Sequence, residues 1–148
     1  MGLPEGLVVF VKASCPTCQA VVPALERIRA AGVPLTLFSQ EGPDFPPGLG
    51  PEDDSELWTS YEHRVEVVPT LLRVHDGAVS ERLEGWSRAA WERITGLNGL
   101  GDGLPEYRPG CGSRTLDPGM PDKLAASFGG SRLASRRVEL GEQEDPVE

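Results

Sequence analysis

The sequence has few cysteines and no long apolar run. Three cysteines among 148 residues form a small, odd set that does not suggest a structural disulfide scaffold, so a close pair is expected to do chemistry or to bind metal. The longest uninterrupted apolar stretch, Leu7–Val11, is far too short to span a bilayer. With 39% hydrophobic and 25% charged residues, the chain has the composition of a globular protein.

Basic residues are also scarce relative to acidic ones. Fourteen Lys and Arg stand against 23 Asp and Glu, for a formal charge of −9 at pH 7, and neither half of the chain is basic. Phosphate neutralisation by Lys and Arg supplies most of the non-specific affinity for nucleic acid. We therefore expect no nucleic-acid partner and no anionic membrane partner. The N-terminus lacks a basic segment followed by an apolar one, which favours a cytoplasmic location.

Glycine and proline are abundant, at 18 and 14 residues, and they cluster at 41–51 and within 99–148. Such a composition favours irregular or disordered chain. We therefore predict a compact domain over residues 1–98, interrupted by an exposed loop at 41–51. Residues 99–148 are predicted to form a C-terminal extension that is partly irregular or disordered, with a short helix over Pro121–Phe128 that could dock on the domain.

The pattern of apolar residues predicts an α/β domain with a four-stranded mixed sheet, in the order βαβ, then α, then ββα. A buried strand over Leu7–Lys12, a helix beginning after Cys15 and a strand over Val33–Ser39 form a unit with a parallel strand pair. The remaining predicted elements are a short helix beginning at Asp53-x-x-Glu56, antiparallel strands Thr70–His75 and Ala78–Leu83 joined at Asp76-Gly77, and a last helix at roughly 88–97 capped by Ser87.

The motif Cys15-Pro16-Thr17-Cys18 stands where the first strand has ended and the first helix begins. A helix N-terminus favours a thiolate over a thiol, so the pKa of Cys15 is expected to be lowered and Cys15 to be the nucleophile. Cys18, one turn further on, is expected to be more buried and to resolve a mixed disulfide held on Cys15. Pro16 suits the first helical position, where the missing N–H costs no helical hydrogen bond.

The cysteine pair could instead be half of a zinc site or two inert core thiols. A structural zinc site needs four ligands. Beyond the pair, the sequence offers Cys111, His63, His75 and carboxylates at no recognisable spacing. We therefore predict no metal and no cofactor.

Over about residues 5–98, the chain resembles the thioredoxin-like superfamily. The cysteine motif resembles that family's redox motif, Pro23 stands where thioredoxins have a kinking proline, and Val68-Pro69-Thr70 resembles their cis-proline motif. The resemblance implies a thioredoxin-like fold in which Pro69 is cis and packs beside the cysteines. It also implies that the Val68 backbone is free to pair with an extended substrate segment.

The sequence departs from thioredoxins at two positions and is similar to glutaredoxins at another. Val9 replaces the buried Asp that assists the second cysteine, and Ser14 replaces the usual Trp. Lys12 matches the glutaredoxin lysine that binds glutathione carboxylate, but the Gly-Gly and Asp pattern that holds the rest of glutathione is not evident near Glu84–Ser87. A protein substrate is therefore favoured over glutathione. The predicted substrate-binding residues are Lys12, Pro16, Thr17, Val68 and Pro69.

Together these features predict a thiol–disulfide oxidoreductase that works through Cys15 and Cys18, and the predicted cytoplasmic location favours a reductase of protein disulfides. Its partners would be a protein disulfide and an electron-donating reductase or low-molecular-weight thiol. The alternative is a redox-responsive protein-binding module that uses the domain surface and the extension. Cys111, in an irregular and exposed setting, would be either an incidental thiol or an accessory thiol that exchanges with the pair or bonds to a partner.

Overall fold

The described part of the chain, residues 2–129 of a computed structural model, contains nine strands and five α-helices. The strands are β1 (Gly6–Val11), β2 (Leu35–Ser39), β3 (Glu52–Asp53), β4 (Val67–Val68), β5 (Thr70–His75), β6 (Ala78–Glu84), β7 (Trp86–Ser87), β8 (Tyr107–Arg108) and β9 (Cys111–Gly112). The α-helices are α1 (Pro16–Ala20), α2 (Val22–Ala30), α3 (Trp58–Glu62), α4 (Arg88–Thr95) and α5 (Met120–Leu124), with a 3₁₀ turn at Arg114–Leu116 and a π turn at Ala125–Gly129.

The fold is mixed α/β, built on a mixed sheet of five strands in the order β3-β2-β1-β5-β6. The central strand β1 pairs parallel with β2 and antiparallel with β5. The predicted mixed sheet is thus confirmed, but the predicted count of four strands is wrong. The fifth strand is β3, a two-residue edge strand parallel to β2, which is too short to produce a recognisable alternation of apolar residues.

The strand β1 forms the middle of the core because both of its faces are covered. Val8, Val9, Phe10 and Val11 are all fully buried, as expected of a continuous apolar strand in this position. Phe10 stacks on Phe38 of β2, with ring centroids 5.2 Å apart. This rigid central strand leads directly into the segment that carries the cysteine pair.

The helix after the cysteines is interrupted, as the position of Pro23 predicts. The structure divides it into α1 and α2, which meet at Val21. Pro23, at the second position of α2, has no N–H to donate to the preceding turn and therefore breaks the helical hydrogen-bond pattern. The helix α2 then buries Ala24, Leu25 and Ile28 in the core.

The predicted start of the next helix is wrong. Asp53 lies in β3, and α3 begins only at Trp58. The carboxylate that holds the start of this helix belongs to Asp54, which accepts hydrogen bonds from the N–H groups of Thr59 at 3.0 Å and Ser60 at 2.9 Å. Two adjacent Asp residues offer the same capping signal, and only the backbone path selects between them.

The final helix of the domain begins where the sequence predicts. The Ser87 hydroxyl accepts the Ala90 N–H at 3.3 Å, and α4 buries Trp91 and Ile94. The helix ends at Thr95, earlier than predicted, because Gly96 follows in the left-handed conformation with a φ of 72°, a common helix C-cap. None of the helices among residues 2–129 is long and apolar enough to cross a membrane.

Residues 99–129 of the C-terminal extension pack onto the domain. Leu100 and Leu124 are almost fully buried, at 1% and 3% exposure, and the Phe128 ring lies 4.5 Å from the ring of Trp58. The predicted docking of the helix near Pro121 is confirmed, although α5 is short and continues as a π turn. The prediction for residues 130–148 lies outside the described residues.

Candidate active site

Cys15 and Cys18 lie together at the start of α1, directly after the end of β1. Cys15 is the N-cap of the helix, and its sulfur accepts the Cys18 N–H at 3.3 Å. Pro16 occupies the first helical position, as predicted. Cys18 is fully buried, and Cys15 is only 1% exposed, so the predicted difference in burial between the two cysteines is nearly absent.

The surroundings of Cys15 stabilise its thiolate. A hydrogen bond from the Cys18 thiol, together with hydrogen bonds from the Cys111 thiol and from the backbone N–H groups of Cys18 and Thr17, lowers the pKa of Cys15 to about 5, although burial acts in the opposite direction. Hydrogen bonds to the charged form favour that form. The predicted direction is therefore confirmed, but side-chain thiols contribute to it as well as the helix N-terminus.

Cys18 has the opposite character. Burial, reinforced by the neighbouring Cys15, raises the pKa of the Cys18 thiol well above its ordinary value. Its sulfur accepts the backbone N–H of Lys12 at 3.4 Å, and that hydrogen bond partly offsets the rise. The fully buried Val9 on β1 has no group that could take up the Cys18 proton.

The cis-proline segment borders the sulfur of Cys15. The Val68–Pro69 peptide bond is cis, as the resemblance implies, and Cys15 Sγ lies 3.5 Å from the Val68 carbonyl oxygen. Val68, Pro69 and Thr70 are all buried. The sequence-predicted groups Cys15, Cys18, Val68 and Pro69 therefore form one cluster.

The prediction that the Val68 backbone is free is wrong. Val68 lies in β4, which pairs antiparallel with β9 of the extension, so that Val68 lies opposite Cys111 and Val67 opposite Gly112. The polar backbone groups expected to receive a substrate strand instead bind the chain's own residues. We call the segment that occupies this place, residues 109–112, the strap.

Two further residues predicted to bind substrate also bind the strap. The Thr17 hydroxyl donates a hydrogen bond to the Pro109 carbonyl at 2.7 Å. The Lys12 ammonium donates to the Gly112 carbonyl at 2.8 Å rather than to a carboxylate. The strap is thus held on both sides of Cys111, by Thr17 from within the cysteine motif and by Lys12 from before it.

The expectation that Cys111 lies in an irregular, exposed setting is wrong. It is half-buried in β9, and burial together with its hydrogen bond to Cys15 raises the pKa of its thiol. Cys15 interacts through its side chain with both of the other cysteines. The structure therefore contains a site of three neighbouring thiols rather than two.

Glycine allows the strap to approach the cis-proline segment closely. A Cβ on Gly110 would clash with a side-chain carbon of Val67 and would lie 2.6 Å from the Val68 carbonyl oxygen, closer than atoms can pack. On the domain side, Gly85 has a φ of +80°, and a Cβ there would lie 3.0 Å from the Arg108 carbonyl oxygen. Gly110 was a possible signal in the sequence, because glycine often marks a close backbone approach.

A buried polar cluster downstream of the strap was not foreseen from the sequence. The side chain of Gln40, fully buried, donates to the hydroxyls of Ser60 at 2.9 Å and Ser113 at 2.8 Å. Its side-chain oxygen Oε1 accepts the backbone N–H of Arg114 at 2.9 Å. A glutamine at a strand end carries no pattern that identifies such a role.

A second anchor holds the extension upstream of the strap. Strand β8 pairs with β7, and the indole N–H of the buried Trp86 donates to the Pro105 carbonyl at 2.8 Å. Arg27 adds hydrogen bonds to the carbonyl oxygens of Leu100 at 2.8 Å and Asp102 at 2.9 Å. The strap is therefore the middle of a segment fixed at both ends.

Potential metal ligands converge elsewhere in the described residues. Among residues 2–129, the side chains close enough to share an ion are Glu5, His75 and Asp76, all exposed, and the three cysteines do not converge in that way. His75 lies 3.4 Å from Asp76, whereas the zinc alternative needed it near the cysteine pair. Among residues 2–129, Cys15 and Cys18 thus have Cys111 as a neighbour, and His75 lies elsewhere.

Comparison with protein-family models finds no family that matches this chain, and comparison with curated proteins finds no matching relative.

Proposed function

We propose that the chain is a thiol–disulfide oxidoreductase with a thioredoxin-like fold, acting as a reductase of protein disulfides. The observation that carries this proposal is the position of Cys15, a helix N-cap whose sulfur receives several hydrogen bonds. With a pKa of about 5, Cys15 is almost entirely thiolate near neutral pH. Thiolate is the form that attacks disulfides.

The arrangement of the sheet supports the thioredoxin-like assignment. The strand that precedes the cysteines, β1, is central, and the strand that follows the cis proline, β5, pairs antiparallel with it. This pairing brings the cis peptide at Val68–Pro69 next to Cys15. Two motifs far apart in the sequence thereby meet at one end of the sheet.

In the first step, which requires the strap to leave the buried Cys15, the Cys15 thiolate attacks one sulfur of the substrate disulfide. A Cys15–substrate disulfide forms, the substrate S–S bond breaks, and the leaving substrate sulfur takes up a proton from solvent. In the second step, Cys18 gives up its thiol proton and attacks Cys15 Sγ. The Cys15–Cys18 disulfide forms, and the second substrate sulfur leaves as a thiol.

The two pKa directions suit these separate roles. The low pKa of Cys15 makes it the first nucleophile and also a good leaving group. The raised pKa of Cys18 keeps this thiol protonated until the mixed disulfide exists. The Lys12 backbone N–H, 3.4 Å from Cys18 Sγ, then stabilises the sulfur as its charge develops.

The test is reduction of insulin disulfides with dithiothreitol as the electron donor, comparing wild type with Cys15→Ser. We expect wild type to accelerate reduction and Cys15→Ser to lose the acceleration, because serine cannot form the mixed disulfide. The double variant Cys18→Ser, Cys111→Ser should accumulate as a covalent adduct with insulin before dithiothreitol is added, since no other thiol of the described residues can then attack Cys15.

A turnover that is negligible, and that Cys15→Ser leaves unchanged, would contradict the enzyme. It would favour the redox-responsive binding module, in which the domain surface and the extension hold a partner. His75→Ala serves as the matched control, because this exposed side chain lies at the far end of β5 from Thr70. The control should reduce insulin as fast as wild type.

A further inference from the structure

The strap has the position and backbone pairing expected of a bound substrate. Its strand β9 pairs antiparallel with β4, and Cys111 lies opposite Val68, the residue next to the cis proline. Cys15 Sγ lies 3.5 Å from the carbonyl oxygen of the same Val68, so Cys15 and Cys111 both adjoin this residue. An extended segment that presents a sulfur to Cys15 has the features required of a substrate for thiol–disulfide exchange.

We propose that Cys111 is a third catalytic thiol, which exchanges with the Cys15–Cys18 disulfide to form Cys15–Cys111 and so presents the disulfide to an external thiol reductant. This inference rests on the proposed thiol–disulfide exchange at Cys15. It adds the route by which the oxidised protein is reduced again. It also makes residues 109–112 part of the reaction rather than a passive cover.

The exchange conserves both atoms and electrons. Cys111 gives up its thiol proton, and its sulfur attacks Cys15 Sγ of the Cys15–Cys18 disulfide. The Cys15–Cys111 bond forms as the Cys15–Cys18 bond breaks, and Cys18 Sγ leaves with the electron pair and takes up a proton. One disulfide and one thiol remain, so the step needs neither an oxidant nor a reductant.

Re-reduction then consumes two molecules of a small thiol. The first attacks Cys111 Sγ, forms a mixed disulfide there and releases Cys15 as a thiolate. The second attacks the sulfur of the small thiol in this mixed disulfide, restores the Cys111 thiol and leaves as part of a small-molecule disulfide. The chain gains two electrons, and the two small thiols lose them.

Exposure explains why the route would pass through Cys111. Cys15 and Cys18 are 1% and 0% exposed, so a disulfide between them offers almost no surface to an incoming thiol. Cys111 is half-buried and is therefore the most exposed of the three cysteines. Attack at Cys111 also releases Cys15, the thiol with the lowest pKa of the three, and a low pKa speeds departure.

The anchors on both sides keep Cys111 next to Cys15. Thr17 binds the carbonyl of Pro109 and Lys12 binds that of Gly112, at 2.7 and 2.8 Å, so the thiol between them has little freedom. Even a flexible tether gives an effective concentration of about millimolar. Exchange within the chain should therefore prevail over exchange between chains at micromolar protein concentration.

The first experiment maps disulfides by mass spectrometry in full-length Cys18→Ser treated with one equivalent of diamide, a thiol oxidant. We expect a monomer that contains the Cys15–Cys111 disulfide. A monomer with both thiols free, or a dimer linked through Cys15, would overturn the proposal. This readout requires no turnover of insulin, so the proposed reductase activity can fail while formation of the Cys15–Cys111 disulfide is demonstrated.

Two glycine substitutions in the Cys18→Ser background test whether the strap provides the geometry. Gly110→Ala places a Cβ 2.6 Å from the Val68 carbonyl oxygen and should displace the strap, whereas a Cβ on Gly112 meets nothing within 4 Å. We expect Gly110→Ala to reduce the yield of Cys15–Cys111 and Gly112→Ala to leave it unchanged. Equal yields in both variants would contradict the role of the strap.

The second experiment measures how fast glutathione reduces the oxidised protein, in wild type and in Cys111→Ser. Serine is similar in size to cysteine and offers a hydroxyl donor in place of the thiol, but it cannot form a disulfide. We expect re-reduction of Cys111→Ser to be slower by on the order of tenfold or more, because attack must then occur at a buried sulfur. Equal rates would show that electrons do not enter through Cys111, and would overturn the proposal.

Discussion

The cysteine motif and the strap form opposite sides of one site, but they are held in place by contrasting means. Cys15 and Cys18 are positioned locally, by the end of β1 and the first turn of α1, with contacts that span three to six residues. The strap is positioned by contacts that span 92 and 100 residues, from Thr17 to Pro109 and from Lys12 to Gly112. Residues close in the sequence thus position the cysteine pair, whereas residues far away in the sequence cover it and limit its exposure.

The two sides also differ in what stabilises them. The cysteine motif adjoins a core of fully buried apolar side chains in β1, so its position depends mainly on packing. The strap depends on hydrogen bonds to carbonyl oxygens and on the cluster around Gln40. Substitutions of polar residues should therefore affect the strap far more than the cysteine motif.

The largest effect is expected at Gln40, the centre of the buried polar cluster. Gln40→Ala leaves the Arg114 N–H without its acceptor and opens a void at a fully buried position. We expect a loss of about 3 kcal/mol in the free energy of unfolding, measured by urea denaturation. The control is Gln19→Ala, which removes an exposed hydrogen bond to the Ala13 carbonyl and should cost less than about 0.5 kcal/mol.

A smaller effect is expected at Thr17, which holds the strap directly. Thr17→Val keeps the side-chain shape and removes the hydrogen bond to the Pro109 carbonyl, a loss of about 1 kcal/mol. If the free energy needed to open the strap falls by this amount, the open form becomes about fivefold more populated. Alkylation of Cys111 by iodoacetamide should then become faster by the same factor. Thr36→Val, in the middle of β2, should leave the rate unchanged, and an unchanged rate in Thr17→Val would show that this bond does not hold the strap.

The smallest effect is expected on the pKa of Cys15, which depends in part on Cys111 in the strap. The ultraviolet absorbance of its thiolate should be fully present at neutral pH and should fall by half near the pKa of about 5 as the pH decreases. Cys111→Ala removes one donor to this thiolate, so its midpoint should move to higher pH. Cys111→Ser replaces the thiol donor with a hydroxyl donor and should therefore move the midpoint less than Cys111→Ala does. An unchanged midpoint in Cys111→Ala would show that Cys111 does not stabilise the thiolate.

Local sequence signals were sufficient to predict where several helices and strands of the domain begin, break or turn. Pro23 predicted the break between α1 and α2, Ser87 predicted the start of α4, and the Asp76-Gly77 pair predicted the hairpin between β5 and β6. Each signal acts through the conformation of a few adjacent residues. At these three places the rest of the chain agrees with the local signal, whereas the capping signal at Asp53 was overridden by the backbone path.

The signals failed where strands are very short. The strands β3, β4, β7, β8 and β9 have two residues each, so they carry no alternation of apolar and polar side chains. Their formation depends on which backbone lies alongside. The many glycines and prolines near the strap favoured an irregular extension, but Gly110 instead permits close contact with Val68.

The sequence by itself predicted the direction of the pKa shift of Cys15, because the helix N-terminus and Cys18 both lie within one turn of it. It also determined the place of the cis proline, through the motif around Pro69. Only the tertiary structure decided that residues 109–112 cover this site and that Cys111 meets Cys15. That outcome depends on β4 pairing with β9 and on buried hydrogen bonds between residues far apart in the chain, which no local pattern specifies.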